Sequence, residues 1–234
     1  HGKGGAPARH VSDLASSLES DGYLVANLEM PWSGARDYDV SVSDGVKEVE
    51  TAFAALRGKG AKNVFVAGHS QGGIFALYLG GTVPMDGVIA IAPGGHVGST
   101  VFREKLGEHV DRARSLVAEG KGDEKTRLAD YEGSKGTYSI VTTPNIYLGW
   151  FDPGGAMNQS NAAQNVDLDV PVLYVGPTRD YPGLIRVKRQ IFAALPENPL
   201  HKLYEPDASH LDSPSASREE IVRWIGEVLS AKKP

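Results

Sequence analysis

The chain has 234 residues, 41% of them hydrophobic, with a formal net charge of -5 and a pI of about 5.8. That is enough apolar material for one sizeable α/β core. It offers no basic footprint for nucleic acid, because the densest basic cluster, RVKRQ, has the spacing of a solvated helix face. With no cysteine in the chain, a thiol nucleophile, a thiolate metal site and a disulfide framework are excluded.

No run approaches the ~18 apolar residues of a membrane-spanning helix, and no signal peptide is visible. The chain opens on His1-Gly2-Lys3-Gly4-Gly5 with no initiator methionine, so an upstream segment is expected. Val11, Leu14, Ala15 and Leu18 then fall at helical spacing. YLVANLEMP reads as a strand stopped by Pro31. Val46, Val49, Phe53 and Leu56 make the apolar stripe of a helix over 44–58, closed by Gly58 and Gly60. NVFVAG is the next strand, residues 71–79 the next helix, and GVIAIAPG the strand after it. These strands are continuous apolar runs rather than alternating ones, as in a parallel sheet buried on both faces.

The rhythm breaks at His96. From there to about Val166 the chain is polar, charged and rich in glycine, then aromatic and turn-rich in TPNIYLGWFDPGG. Its length predicts an insertion over one end of the sheet, with at least one helix around 101–119. Such a segment serves as a lid or binding segment, or is an excursion without contact to ligand. The βα order then resumes. VPVLYVG is a strand, Leu184, Val187, Ile191 and Leu195 mark a helix, and HKLYEP is a short strand. Ile221, Val222, Ile225 and Val228 mark a closing helix after the SREE start signal. There is no internal repeat and no linker, so residues 1–234 read as one domain with an insertion at 96–166.

The chemistry-bearing stretch is GHSQGG, residues 68–73. It matches G-x-S-x-G, a weak pattern alone. Here it follows a predicted strand and opens a predicted helix, the setting of a nucleophile elbow. The competing reading is a serine capping an ordinary βα loop. As a nucleophile, Ser70 needs a base. Of the seven histidines, His69 sits within the elbow and points elsewhere. His1 belongs to the first loop, and His10, His96, His109 and His201 read as surface or packing residues. His210, in PDASHLDSP, lies after the last strand and before the last helix, at the sheet end the elbow occupies.

The base needs a carboxylate to hold its tautomer. Asp180, in VGPTRDYPG, follows the preceding strand and is the favoured candidate. Asp207, Asp152 and Asp169 are rivals, and no acid directly follows IAIAPGG. The tetrahedral intermediate needs N–H donors. The Gln71 backbone supplies one, and the loop around Gly2 and Lys3 the second, through the Lys3 backbone. A phosphate loop is disfavoured, since Lys3 is not followed by Ser or Thr. Trp32, after YLVANLEM, either lines the pocket or packs.

HGKGG, GHSQGG, VPVLYVGPTRD and EPDASH together resemble the α/β-hydrolase family over nearly the whole chain. The order Ser70, Asp180, His210 is that family's order. The resemblance implies a three-layer fold, with a mostly parallel sheet flanked by helices on both faces. It also implies cofactor-free hydrolysis of an ester-like bond, and the substrate expected is a small molecule. ALRGKGAKNVFVAGHSQGG and the ENPLHKLYEPDASHLDSP tail resemble bacterial hydrolases that often carry an export signal, which points to the periplasm or secretion. The family usually has strands before its oxyanion loop, and none precedes HGKGG here. An upstream or companion segment is therefore expected to complete the sheet, whose opened edge would otherwise be unpaired.

The function expected is a serine hydrolase of carboxylic esters, with thioesters and amides as close rivals. The alternative is a non-catalytic binding protein that holds a ligand on Tyr147, Trp150 and Phe151 of the insertion. Metal-ligand spacing of the H-E-x-x-H kind is absent from the sequence.

Overall fold

The computed structural model describes residues 1–232. Its centre is a parallel sheet of β1 (Phe65–His69), β2 (Gly87–Ile91), β5 (Val172–Val175) and β6 (Lys202–Tyr204), in the order β1-β2-β5-β6. The helices are α1 (Ser12–Ser20), α2 (Val42–Gly58), α3 (Gln71–Gly80), α4 (Thr100–Ala118), α5 (Pro144–Phe151), α6 (Gln159–Gln164), α7 (Pro182–Ala193), α8 (Ser213–Ala216) and α9 (Arg218–Ala231).

The apolar runs read from the sequence become these strands because both sheet faces are covered. Successive β2 side chains serve opposite cores: Val88 and Ala90 pack with Phe75, Leu77 and Trp150, while Ile89 and Ile91 pack with Leu14, Ile221 and Trp224. Helix α3 is buried almost all round, which is why its sequence shows no polar face.

Two expectations need correction. YLVANLEMP is not a strand. Residues 23–30 run outside any helix or strand, and Leu24 is 49% exposed. An apolar run signals burial, whereas a strand also needs a neighbour to complete its ladder. Among the described residues none lies beside this segment, and β1 is the outer strand of the sheet.

The second correction concerns residues 96–166. The helix around 101–119 is present as α4, capped by Ser99 Oγ, which accepts from the Phe102 N–H at 3.3 Å. The charged, glycine-rich stretch after it is ordered as an antiparallel hairpin of β3 (Thr126–Glu132) and β4 (Gly136–Thr142). TPNIYLGWF is helix α5, opened by Thr143 as cap and Pro144 in its first turn. The alternation in TYSIVT was a strand signal hidden by the charges around it.

The elbow between β1 and α3 depends on close backbone approach. A Cβ on Gly68 would lie 1.9 Å from the Gly72 carbonyl oxygen. Gly68→Ala is therefore expected to destabilise the fold by at least about 3 kcal/mol, read as a lowered urea midpoint. An unchanged midpoint would mean that this junction is looser than described.

Candidate active site

Ser70 sits at the C-terminal end of β1 with φ 56° and ψ −117°. A non-glycine residue there is strained by about 1–3 kcal/mol. The strain is held by backbone bonds. The Ser70 N–H donates to Ile91 O at 2.9 Å, and Ser70 O accepts from the N–H groups of Gly73 at 2.8 Å and Gly94 at 3.0 Å. The residue is half-buried, and its hydroxyl has no hydrogen-bond partner among the described residues. Gly2 lies against it: a Cβ on Gly2 would stand 3.0 Å from Ser70 Cβ and 3.4 Å from Oγ.

Asp180 and His210 come from loops 30 residues apart that run side by side. The Thr178 N–H donates to Pro206 O at 3.0 Å and the Arg179 N–H to Ala208 O at 3.1 Å. This pairing carries Asp180 to His210, whose Nδ1–H donates to Asp180 Oδ1 at 2.7 Å. Asp180 Oδ1 also accepts from the Tyr181 N–H at 2.7 Å. Both side chains are buried. The His210 Nε2 has no hydrogen bond among the described residues.

The rival carboxylates are elsewhere. Asp207 is exposed and accepts from Arg179 Nε at 2.8 Å. Asp152 is paired with Arg114, and Asp169 is exposed.

His69, which the sequence only set aside, is a tether. Its Nε2–H donates to the His210 carbonyl at 2.9 Å, and the two rings lie 4.8 Å apart. The Nδ1 is buried without a partner among the described residues. Burial first, then the nearby His210, lowers the His69 pKa from 6.5 to about 3. Between those values the unfolded chain binds a proton that the folded chain refuses, so stability falls as pH drops through this window. Lowering the pH from 6.5 to about 4 is thus expected to cost about 3 kcal/mol through this residue. His69→Gln should flatten that part of the stability profile measured by urea unfolding. An equally steep profile in the variant would assign the acid sensitivity to other groups.

The first loop is held from both ends. Trp32 Nε1–H donates to His1 O at 2.8 Å, the Met30 N–H to His1 Nε2 at 3.2 Å, and the Gly4 N–H to Trp32 O at 2.9 Å. The backbone N–H of Lys3 has no acceptor among the described residues, and neither has that of Gln71 at the first position of α3. Trp32 is 2% exposed and packs edge-on against Phe75 and Trp150. Of the two roles read for it, packing is the one this burial supports.

Tyr147, Trp150 and Phe151 are likewise enclosed in the core. Helix α5 packs against α4 and α2, which encloses Tyr147 and Trp150, while Phe151 also borders a cavity beside α4.

The His96, His201 and His1 rings accept from the backbone N–H groups of Gln159, Val172 and Met30, and they stand as structural acceptors. Among the described residues, no group of three or more His, Asp or Glu side chains could hold a metal ion, and no helix is long and apolar enough to cross a membrane. An open cavity of about 240 Å³ lies beside α4, walled by Phe102, Leu106, Val110 and Phe151. Ser70, Asp180 and His210 do not line it.

The model of the alpha/beta hydrolase family matches residues 1–224. Among solved structures, the chain is similar to the monoacylglycerol lipase of Paleococcus ferrophilus, at 19% identity. That alignment covers 97% of this chain and 92% of the lipase, with a TM-score of 0.67. A structure of the metagenome-derived lipolytic enzymes LipS and LipT aligns at 19% identity over 98% of this chain and 91% of its own, with a TM-score of 0.59. A pyrethroid hydrolase from Sphingobium faniae JZ-2 aligns at 19% over 97% and 95%, with a TM-score of 0.57.

Proposed function

This chain belongs to the alpha/beta hydrolase family, and from that premise we propose that it is a serine hydrolase cleaving carboxylic esters of small molecules through an acyl-enzyme. The observation that carries the reading is the 2.7 Å bond from His210 to Asp180 at the sheet end where a strained Ser70 stands. Ester bonds are favoured as the substrate class because the similar structures are those of a lipase, of lipolytic enzymes and of a pyrethroid hydrolase.

In the proposed sequence His210 Nε2 takes the proton of Ser70 Oγ as that oxygen attacks the carbonyl carbon. Asp180 keeps the other proton on Nδ1 and stabilises the imidazolium. The oxyanion is received by the N–H groups of Gln71 and Lys3, both without another acceptor, with Gly2 leaving the approach to Ser70 open. The N-terminus of α3 adds its favourable field. His210 then protonates the leaving alkoxide, and water, activated by the same imidazole, releases the acid. No step calls on a cofactor or a metal. Residues 96–166 act as the cap of this single domain.

The test is a fluorophosphonate probe followed by peptide mapping, together with p-nitrophenyl esters from acetate to decanoate. Modification at Ser70 and turnover with a chain-length optimum are the expected results. Labelling without ester turnover would move the substrate class to thioesters or amides. A folded protein that is neither labelled nor active would be a binding protein on a hydrolase fold.

We also infer that a further strand pairs with the outer edge of β1, where Ala67 is exposed, as are Leu24 and Ala26 of the apolar run 23–30. Outward-facing amides of Phe65–His69 that exchange slowly in this chain alone would argue against it.

A further inference from the structure

The glycine-rich first loop has a weakness at its functional residue. Residues 1, 4 and 5 are fixed by backbone and ring contacts to 30–34, and the Gly5 N–H also donates to Gly2 O. The backbone of Lys3 makes no hydrogen bond among the described residues, and it is flanked by Gly2 and by Gly4 at φ +57°. What holds residue 3 is its side chain. Lys3 Nζ donates to Asp130 Oδ1 at 2.5 Å and to Tyr131 O at 3.4 Å. It also lies 4.6 Å from the centre of the Phe102 ring on α4 and 5.1 Å from that of Phe151 on α5.

Asp130 is completely buried. Its Oδ1 also accepts from the Tyr131 N–H at 2.6 Å, and its Oδ2 accepts from the hydroxyls of Tyr38 and Tyr138, each at 2.8 Å. Tyr138 stands directly across the hairpin from Asp130. A carboxylate so fully engaged is a fixed point, and a single ammonium ties it to the first loop. Burying that ion pair is costly. Its effect is to couple the hairpin, α4 and α5 to one backbone N–H.

We propose that Asp130 is a positioning residue: through the Lys3 ammonium it pins the first loop to the β3–β4 hairpin and so fixes the Lys3 N–H as an oxyanion donor. The inference rests on the serine hydrolase reading above. It makes the seating of the inserted hairpin a condition for catalysis, although no hairpin residue need touch the reacting carbonyl. A loosened donor weakens transition-state stabilisation more than ground-state binding, so the effect belongs in kcat.

The test compares the wild type with Lys3→Met, Asp130→Asn and the double variant, using p-nitrophenyl acetate and the fluorophosphonate probe. Every variant keeps the backbone N–H of residue 3. The singles leave one buried group without its counter-charge and are expected to melt lower. The double variant buries no charge at this site and should recover most of the melting temperature.

In all three, kcat is expected to fall about 10- to 100-fold with KM within about twofold. Labelling of Ser70 should be slower but still reach completion. Restoration of kcat in the double variant along with its melting temperature would overturn the proposal, since the pair would then act through stability alone. Failure of all three to fold would overturn it too. If the wild type itself neither turns over nor labels, the hydrolase reading has failed first.

Discussion

Ser70→Ala is expected to lower kcat toward a p-nitrophenyl ester by about 10⁴-fold or more. No other group stands ready to replace the lost oxygen, because Gly2, Gly94 and the backbone of the elbow surround Ser70. The residual rate would come from the unaltered donors of Gln71 and Lys3. Stability should stay near that of the wild type. The Ser70 hydroxyl makes no hydrogen bond among the described residues, and alanine meets the same strain at φ 56°. Melting temperature and kcat measured on one preparation separate the two effects. Retention of more than a hundredth of the activity by a folded variant would remove Ser70 from the mechanism.

Asp180→Asn is expected to lower kcat by about 10³- to 10⁴-fold at neutral pH with little change in KM. An asparagine that turns its amide toward His210 donates to Nδ1 and leaves the proton on Nε2, the atom that must be free to accept the proton of Ser70. The orientation of the ring can survive while its tautomer is wrong. Asp207→Asn is the matching control. Asp207 is only three residues from His210 but is exposed and turned to Arg179, so its loss should leave kcat within about twofold. If the two variants exchanged these outcomes, the carboxylate assignment would be reversed.

Much of this site was legible in the sequence because it depends on local rules. GHSQGG needs only a strand before it and a helix after it, and both were announced by apolar runs and by glycines where the backbone crowds. Asp180 and His210 were legible through chain order, each in the loop after a strand whose end faces the elbow. The choice of Asp180 over Asp207 rested on that placement. The pairing of 178–179 with 206–208 is what brings the carboxylate to the ring.

The parts that were not legible all involve partners distant in sequence. The hairpin at 126–142 was hidden because its charged, exposed face masks the alternation of its inner one. Trp32 read equally well as a pocket residue or as core, and Tyr147, Trp150 and Phe151 were the rings of the binding-protein alternative. Trp32 and Trp150 are enclosed against Phe75, and Phe151 packs on Tyr38 while also bordering the cavity beside α4. YLVANLEMP has the composition of a strand and lacks a ladder, because composition records a preference for burial while pairing belongs to the neighbour.

Lys3 shows the division most clearly. Its position beside Gly2 fixed the reading of its backbone N–H from the sequence. The destination of its ammonium, Asp130, lies 127 residues away. Local backbone geometry, periodicity and loop order are written into short stretches, and they determined the fold class and singled out Ser70, Asp180 and His210 as candidates. Which buried charge meets which counter-charge, and which ring faces ligand or core, follows from desolvation in the assembled interior, and only the tertiary structure decided it.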